Sequence, residues 1–218
     1  MNVNLIAATP DADKILGYVA RVSNPANQDN PDVAKLLRYC GEHQHWSVFE
    51  HAFVTLEINT TRDIARQMLR HRSFSFSEFS QRYADVTLIN EGNTELRECR
   101  LQDTKNRQNS LETDDDHLKR WWESAQEEIA TIAEQLYSMA LHKGIAKEQV
   151  RALLPEGLTP SRLYMSGSLR SWITYCQVRM DPSTQKEHRL IAERVLDVLR
   201  TVAPITMEAF FPTQGEQA

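Results

Sequence analysis

From Ala52 to Asn59 the chain alternates strictly, with Ala52, Val54, Leu56 and Ile58 on one side and Phe53, Thr55, Glu57 and Asn59 on the other. That period of two predicts a half-buried β-strand. Weaker alternation predicts strands over Asn2–Ala8 and over Ser161–Ser166, where Leu163 and Met165 oppose Arg162 and Tyr164. Elsewhere the apolar period is helical. Ile15, Leu16 and Val19 place a helix over Asp11–Arg21, and Val33, Leu36, Leu37 and Cys40 form the stripe of a helix opened by Asn30-Pro31. Thr60 and Asp63 have capping-box spacing, which predicts a helix running to about Arg72. Leu118, Trp121, Trp122, Ala125, Ile129, Ile132, Leu136 and Met139 recur at 3.6-residue spacing, predicting a long core or subunit-packing helix from about His117 to His142, stopped by Gly144. A short helix over Ile145–Leu154 ends at Pro155. Two more cover about Ser168–Met180 and Thr184–Val202, the second opened by a Thr184…Glu187 box and ended by Pro204.

These elements do not alternate as in a doubly wound sheet. They predict an α+β fold, a mixed domain with few strands and several long helices. At 218 residues the chain fits a single domain over 1–218. The stretch from 85 to 117 is polar, and Asp114-Asp115-Asp116 just before the long helix suits its positive N-terminal end better than a metal ion.

Composition removes several classes of function. No apolar run approaches a membrane span, and no signal-peptide pattern follows Met1, so a soluble, cytoplasmic protein is expected. The cysteines Cys40, Cys99 and Cys176 have no C-x-x-C spacing and are expected to be reduced. His43, His45 and His51 lie close in sequence, but no further ligand set with metal spacing accompanies them, so no metal is expected. A net charge of −5 opposes diffuse attraction to nucleic acid, so any phosphate must be recognised locally.

Residues 70–83 concentrate the chemistry: Arg70, Arg72, Arg82, His71, Glu78 and four serines, interleaved with phenylalanines. Arginine's planar fork fits phosphate, hydroxyls complete such a site, and a carboxylate accepts from a sugar or base. The stretch predicts nucleotide binding. Arg62, Arg66 and Arg70 also stack on one helical face, which costs roughly 0.2–0.5 kcal/mol per like-charged neighbour pair. Acidic neighbours would relieve Arg62, and an anionic ligand would relieve Arg70 and Arg72. A non-catalytic single-strand binder using Arg70, Arg72, Phe74, Phe76 and Phe79 is the rival reading.

The order Arg70-His71-Arg72, seven residues, then Ser80 and Arg82 resembles the signature of the flavin-dependent thymidylate synthases. Four further segments are similar to that family: Ala20-Arg21-Val22-Ser23, His45 through His51, Arg151-Ala152-Leu153-Leu154-Pro155, and Ser168 through Asp181 with Gln185 and Glu187. The resemblance implies an antiparallel sheet flanked by helices, and a homotetramer with shared active sites. It implies dUMP contacts from Gln67, Arg70, Glu78, Ser80, Gln81, Arg82, Arg151 and Arg179. It implies FAD contacts from Ser23, His45, Ser47, Arg70, His71, Arg72, Glu78, Ser168, Arg170 and Thr174, with Glu50 and His51 in support.

The reaction so implied converts dUMP to dTMP. Methylenetetrahydrofolate gives the carbon, NADPH reduces FAD, and Arg179 is catalytic, polarising the uracil. No protein cysteine is required. Gln81 stands where the family often has glycine, Ser168 and Thr174 where relatives often have asparagine, and Ser183 where some have histidine. A related flavoenzyme adding a different one-carbon group, such as a hydroxymethyl, would carry the same signature.

Overall fold

A computed structural model of the protein describes residues 1–89 and 95–213. At its centre β1 (Asn2–Ala8) pairs with β2 (Phe53–Thr61), β2 with β6 (Pro160–Ser168), and β6 with β3 (Ser75–Glu78), all antiparallel. This is the small antiparallel sheet of an α+β fold. The alternation read in β2 and β6 sets their inner face: Val54, Leu56, Ile58, Leu163 and Met165 are buried, and Leu56 lies opposite Met165. The opposite face keeps Thr55, Glu57 and Ser166 beside the exposed Phe53, with Tyr164 donating to Glu57 at 2.9 Å.

Helices α6 (Leu169–Arg179) and α7 (Lys186–Val202) cover the inner face and carry Trp172, Ile173, Ile191, Val195 and Leu199 into the core. The Trp172 indole N–H, which could not be buried unpaired, donates to the Val54 carbonyl at 3.0 Å. Helices α1 (Ala12–Ala20), α2 (Ala34–Glu42) and α8 (Pro204–Phe210) complete the layer. The hairpin of β4 (Arg100–Gln102) and β5 (Ser110–Glu112), helix α4 (Asp116–His142) and the single-turn α5 (Lys147–Val150) stand beside it.

Several expected boundaries move. α2 starts at Ala34, because Asn30 Oδ1 accepts from the Asp32 N–H at 2.9 Å and the buried Arg21 binds the Asn30 and Asp32 carbonyls, locking 30–32 in a turn. α3 (Arg62–Met68) ends before Arg72, and Thr61 rather than Thr60 precedes it, donating to Asp63 at 2.5 Å. The Thr184…Glu187 box does not form: Thr184 donates to the Val178 carbonyl, while Glu187 is taken by Gln185 and Arg100. Of the predicted Ile145–Leu154 helix only α5 and a 3₁₀ turn at Arg151–Leu153 appear. Pro204 ends α7 by opening α8 as its first residue. The polar stretch from 85 to 117 holds the unforeseen β4–β5 hairpin, and its part at 90–94 lies outside the described residues.

α4 is where expected but turned. Asp115 caps it, accepting from the His117 and Leu118 N–H groups, and Gly144 at φ +79° ends it in paired turns to Leu141 and Ala140. Its buried positions are Gln126, Ala133, Tyr137 and Ala140, while Trp121, Ile129, Ile132, Leu136 and Met139 stay exposed, Trp121 at 62% and Ile129 at 55%. Polar anchors explain the rotation: Trp122 and Gln126 both donate to the Arg97 carbonyl at 2.9 Å.

Candidate active site

The signature segment owes its position to α3, β3 and one glycine. After α3 the chain turns, the His71 N–H donating to Met68 and the Phe74 N–H to His71, and residues 75–78 then add to the edge of β6. Phe74 lies directly over Gly167 of β6, where a Cβ would sit 2.5 Å from the phenyl ring. The ring packs edge-on against Trp172 at 4.7 Å between centroids, and His71 against Tyr175 at 5.1 Å. A motif read as ligand chemistry therefore also supplies an aromatic anchor to the core.

Arg179, at the end of α6, donates from Nε to His71 Nε2 at 2.8 Å. Guanidinium cannot accept, so that nitrogen carries a lone pair and His71 is neutral. Burial, and then the adjacent cation, push the His71 pKa down to about 4. Among the described residues Arg179 makes no other side-chain hydrogen bond, so both its Nη groups remain as donors.

At the other end of α6, Ser168 caps the helix, accepting from the Ser171 N–H and donating to Glu50 at 2.5 Å. Arg170 meets the other Glu50 oxygen at 2.9 Å, and Ser171 donates to the Ser73 carbonyl at 3.2 Å. The Ser168 hydrogen bond, more than Arg170, holds the Glu50 carboxyl below its ordinary range. Thr174 hydrogen-bonds back to the Arg170 carbonyl. Segments around residues 50, 71–73 and 168–179 thus converge although they lie far apart in sequence.

A second group lies further along β3. Glu78, opposite Leu163 where Ser75 is opposite Ser166, accepts from Ser161 at 2.7 Å and has Arg62 at 3.4 Å. Beyond it, Arg82 stands 3.6 Å from Glu148, whose backbone carbonyl accepts from Arg151 Nε at 3.2 Å. Ser80 turns the chain through its carbonyl, and Gln81 is buried with no hydrogen-bond partner for its Nε2 among the described residues.

The stacked arginines resolve as their chemistry requires. Arg62 pairs with Glu78 and Arg66 with Glu156, while Arg70 and Arg72 are exposed with no carboxylate partner among the described residues. Ser23, His45 and Ser47 are also exposed and make no side-chain hydrogen bond to the other candidates. His45 lies edge-on to Tyr39. Among the described residues no group of three or more His, Cys, Asp or Glu side chains could hold a metal ion, and no helix is long and apolar enough to cross a membrane.

One part of the site had no signal in the sequence. Tyr175 and His188, both fully buried, link to Gln67, which in turn bonds Gln185. His188 falls on the apolar stripe of α7 with Ile191, Ala192 and Val195, where a core residue is the natural reading. A cleft of about 880 Å³ borders the far end of this link at Gln185 and Glu187, lined also by Arg97, Arg100, Trp121 and Trp122; none of the signature residues lines it.

The chain is similar to known proteins over most of its length. The family described as thymidylate synthase complementing protein matches residues 4–205. A flavin-dependent thymidylate synthase of Synechocystis sp. is 54% identical over 178 residues, 82% of this chain and 80% of that protein. A probable flavin-dependent thymidylate synthase of Paramecium bursaria Chlorella virus 1 is 51% identical, covering 81% and 80%. Among solved structures, a UMP/dUMP methylase, PolB, from Streptomyces cacaoi bound with 5-Br dUMP superimposes with a TM-score of 0.79 at 27% identity, over 96% of this chain and 93% of that one.

Proposed function

Because this chain belongs to the flavin-dependent thymidylate synthase family, we propose that it acts as one catalytic domain converting dUMP to dTMP, with FAD as cofactor and methylenetetrahydrofolate and NADPH as co-substrates. The observation that carries the reading is Arg179, held through Nε by a neutral His71 beside the signature turn, with its two Nη groups still available as donors. A cation so fixed stabilises negative charge developing on a uracil ring without having to reorganise during the reaction. The neutral imidazole matters here, because a charged one would repel the guanidinium.

The donor set suits a flavin dinucleotide. Arg70 and Arg72 are exposed guanidinium groups with no carboxylate partner among the described residues, the chemistry a diphosphate requires. Ser23, His45, Ser47, His71, Glu78, Ser168, Arg170 and Thr174 join them in holding the cofactor, with Arg170 oriented by Glu50. When bound, FAD would supply the hydride and the folate the carbon. Gln67, Arg70, Glu78, Ser80, Gln81, Arg82, Arg151 and Arg179 bind and orient dUMP. Burial pushes the Cys176 thiol up to about 12 and raises that of Cys40, so neither of these two is an activated nucleophile.

We place the enzyme in the cytoplasm as a homotetramer with shared sites. The exposed apolar face of α4 supports such an assembly. The test is tritium release from dUMP labelled at C5, with FAD, NADPH and methylenetetrahydrofolate each omitted in turn, and mass spectrometry of the product. Release that needs all three, with dTMP formed, is expected. A hydroxymethylated product would instead identify the related flavoenzyme. No release from folded, flavin-loaded protein would overturn the reading.

A further inference from the structure

Glu187 anchors a one-way chain of hydrogen bonds. A carboxylate only accepts, so Gln185, 2.9 Å away, must turn its NH₂ toward it and its carbonyl toward Gln67. Gln67 must then present its own NH₂ to that carbonyl, at 2.8 Å, which leaves the Gln67 carbonyl facing His188 Nδ1 at 3.1 Å. His188 therefore carries its proton on Nδ1 and a lone pair on Nε2, and Tyr175 donates its hydroxyl to that lone pair at 3.1 Å. Arg100 holds the anchoring carboxylate from its other oxygen. Every donor points the same way, from Tyr175 to Glu187, and no member can reverse without breaking the next.

One consequence concerns Gln67, which is only partly buried. Of its two N–H donors one is used by Gln185, and among the described residues the other has no partner. We infer that His188 is a positioning residue: with Tyr175 behind it and Glu187 ahead, it locks the Gln67 amide so that Gln67 offers the nucleotide an N–H donor and reads an acceptor oxygen rather than an N–H group. His188 has no exposure of its own and touches no substrate. Its neutrality, and with it the lone pair on Nε2, comes from burial together with the nearby Arg179 and His71, which push its pKa down to about 3. The inference rests on the reading that Gln67 contacts dUMP.

Calorimetric binding of dUMP to the flavin-loaded enzyme tests both statements. Gln67→Ala and His188→Leu are each expected to weaken dUMP by about 10-fold, and the double variant to be no weaker than Gln67→Ala alone, since both remove one coupled contact. His188→Gln, which can still donate to Gln67 and accept from Tyr175, is expected to restore affinity to within about 2-fold. Independent, additive losses, or an unaltered affinity in His188→Leu while Gln67→Ala is weak, would overturn the positioning role and leave the Gln67 contact standing. An unaltered affinity in Gln67→Ala would remove that contact, and the inference with it. Should His188→Leu not fold, ¹⁵N resonances of His188 in the unsubstituted enzyme decide: protonation at Nδ1 is required, and an Nε2–H tautomer would overturn the chain.

Discussion

His71 and His188 are neutral residues in a place where charge would be costly. Burial is the larger cause for both, and Arg179 adds to it, so their pKa values fall to about 4 and about 3. The sign of the resulting pH dependence is definite. An unfolded histidine titrates near 6.5, so between that value and the folded pKa the unfolded chain binds more protons than the folded one. Stability is fully present above about pH 6.5 and is expected to fall as pH drops toward 4, by up to about 1.4 kcal/mol per pH unit per histidine. Urea titrations between pH 7 and 4.5 check this; a flat midpoint would show that neither imidazole is held neutral. At Arg179 the expectation concerns rate. Arg179→Ala should lower kcat by at least about 10²-fold while the flavin spectrum persists, and should let the His71 pKa rise, because the repelling cation is gone. Unchanged turnover would remove Arg179 from catalysis. These residues show the limits of reading single positions. Composition marked Arg70 and Arg72 as candidate anion binders, and the fold leaves both exposed with no carboxylate partner among the described residues, but His71 as the acceptor for Arg179 was not legible, since 108 residues separate them.

Among the elements, β1, β2, β6, α1, α4 and α6 lie within a few residues of where the sequence placed them. β3 was not legible, because Ser75-Phe76-Ser77-Glu78 has little hydrophobic signal and becomes a strand only when β6 offers its edge. The two capping boxes failed for a related reason. Thr60 was spent in β2, and Glu187 was claimed by Gln185 and the distant Arg100, so local spacing lost to tertiary partners. The seat of the signature turn gives an element-scale expectation. In Gly167→Ala the new methyl meets the Phe74 ring at 2.5 Å, which should cost about 1–3 kcal/mol and displace the 70–74 turn. Thermal unfolding measures the first effect and flavin affinity the second; full affinity with an unshifted Tm would mean that Phe74 does not hold the turn.

For the whole molecule, α4 is the informative feature. Its 3.6-residue stripe was read from sequence as core or subunit packing, and the fold excludes the first option, leaving Ile129, Ile132, Leu136 and Met139 uncovered. A surface of that kind on a long helix matches a subunit interface. Light scattering is expected to give four times the 25.1 kDa chain mass, and Ile129→Glu with Leu136→Glu to give smaller, less active species with little change in the monomer's core. A monomeric mass with full activity would contradict the shared sites. The sequence by itself determined the periodicities, and with them the inner face of the sheet, and the concentration of guanidinium and hydroxyl groups in residues 70–83, because both depend on side-chain chemistry within a few positions. Only the tertiary structure decided which face of α4 is buried, which guanidinium groups are neutralised and which histidine receives Arg179. Each of those outcomes depends on partners brought together by pairings such as Val54 with Gly167, more than a hundred residues apart, which no local spacing records.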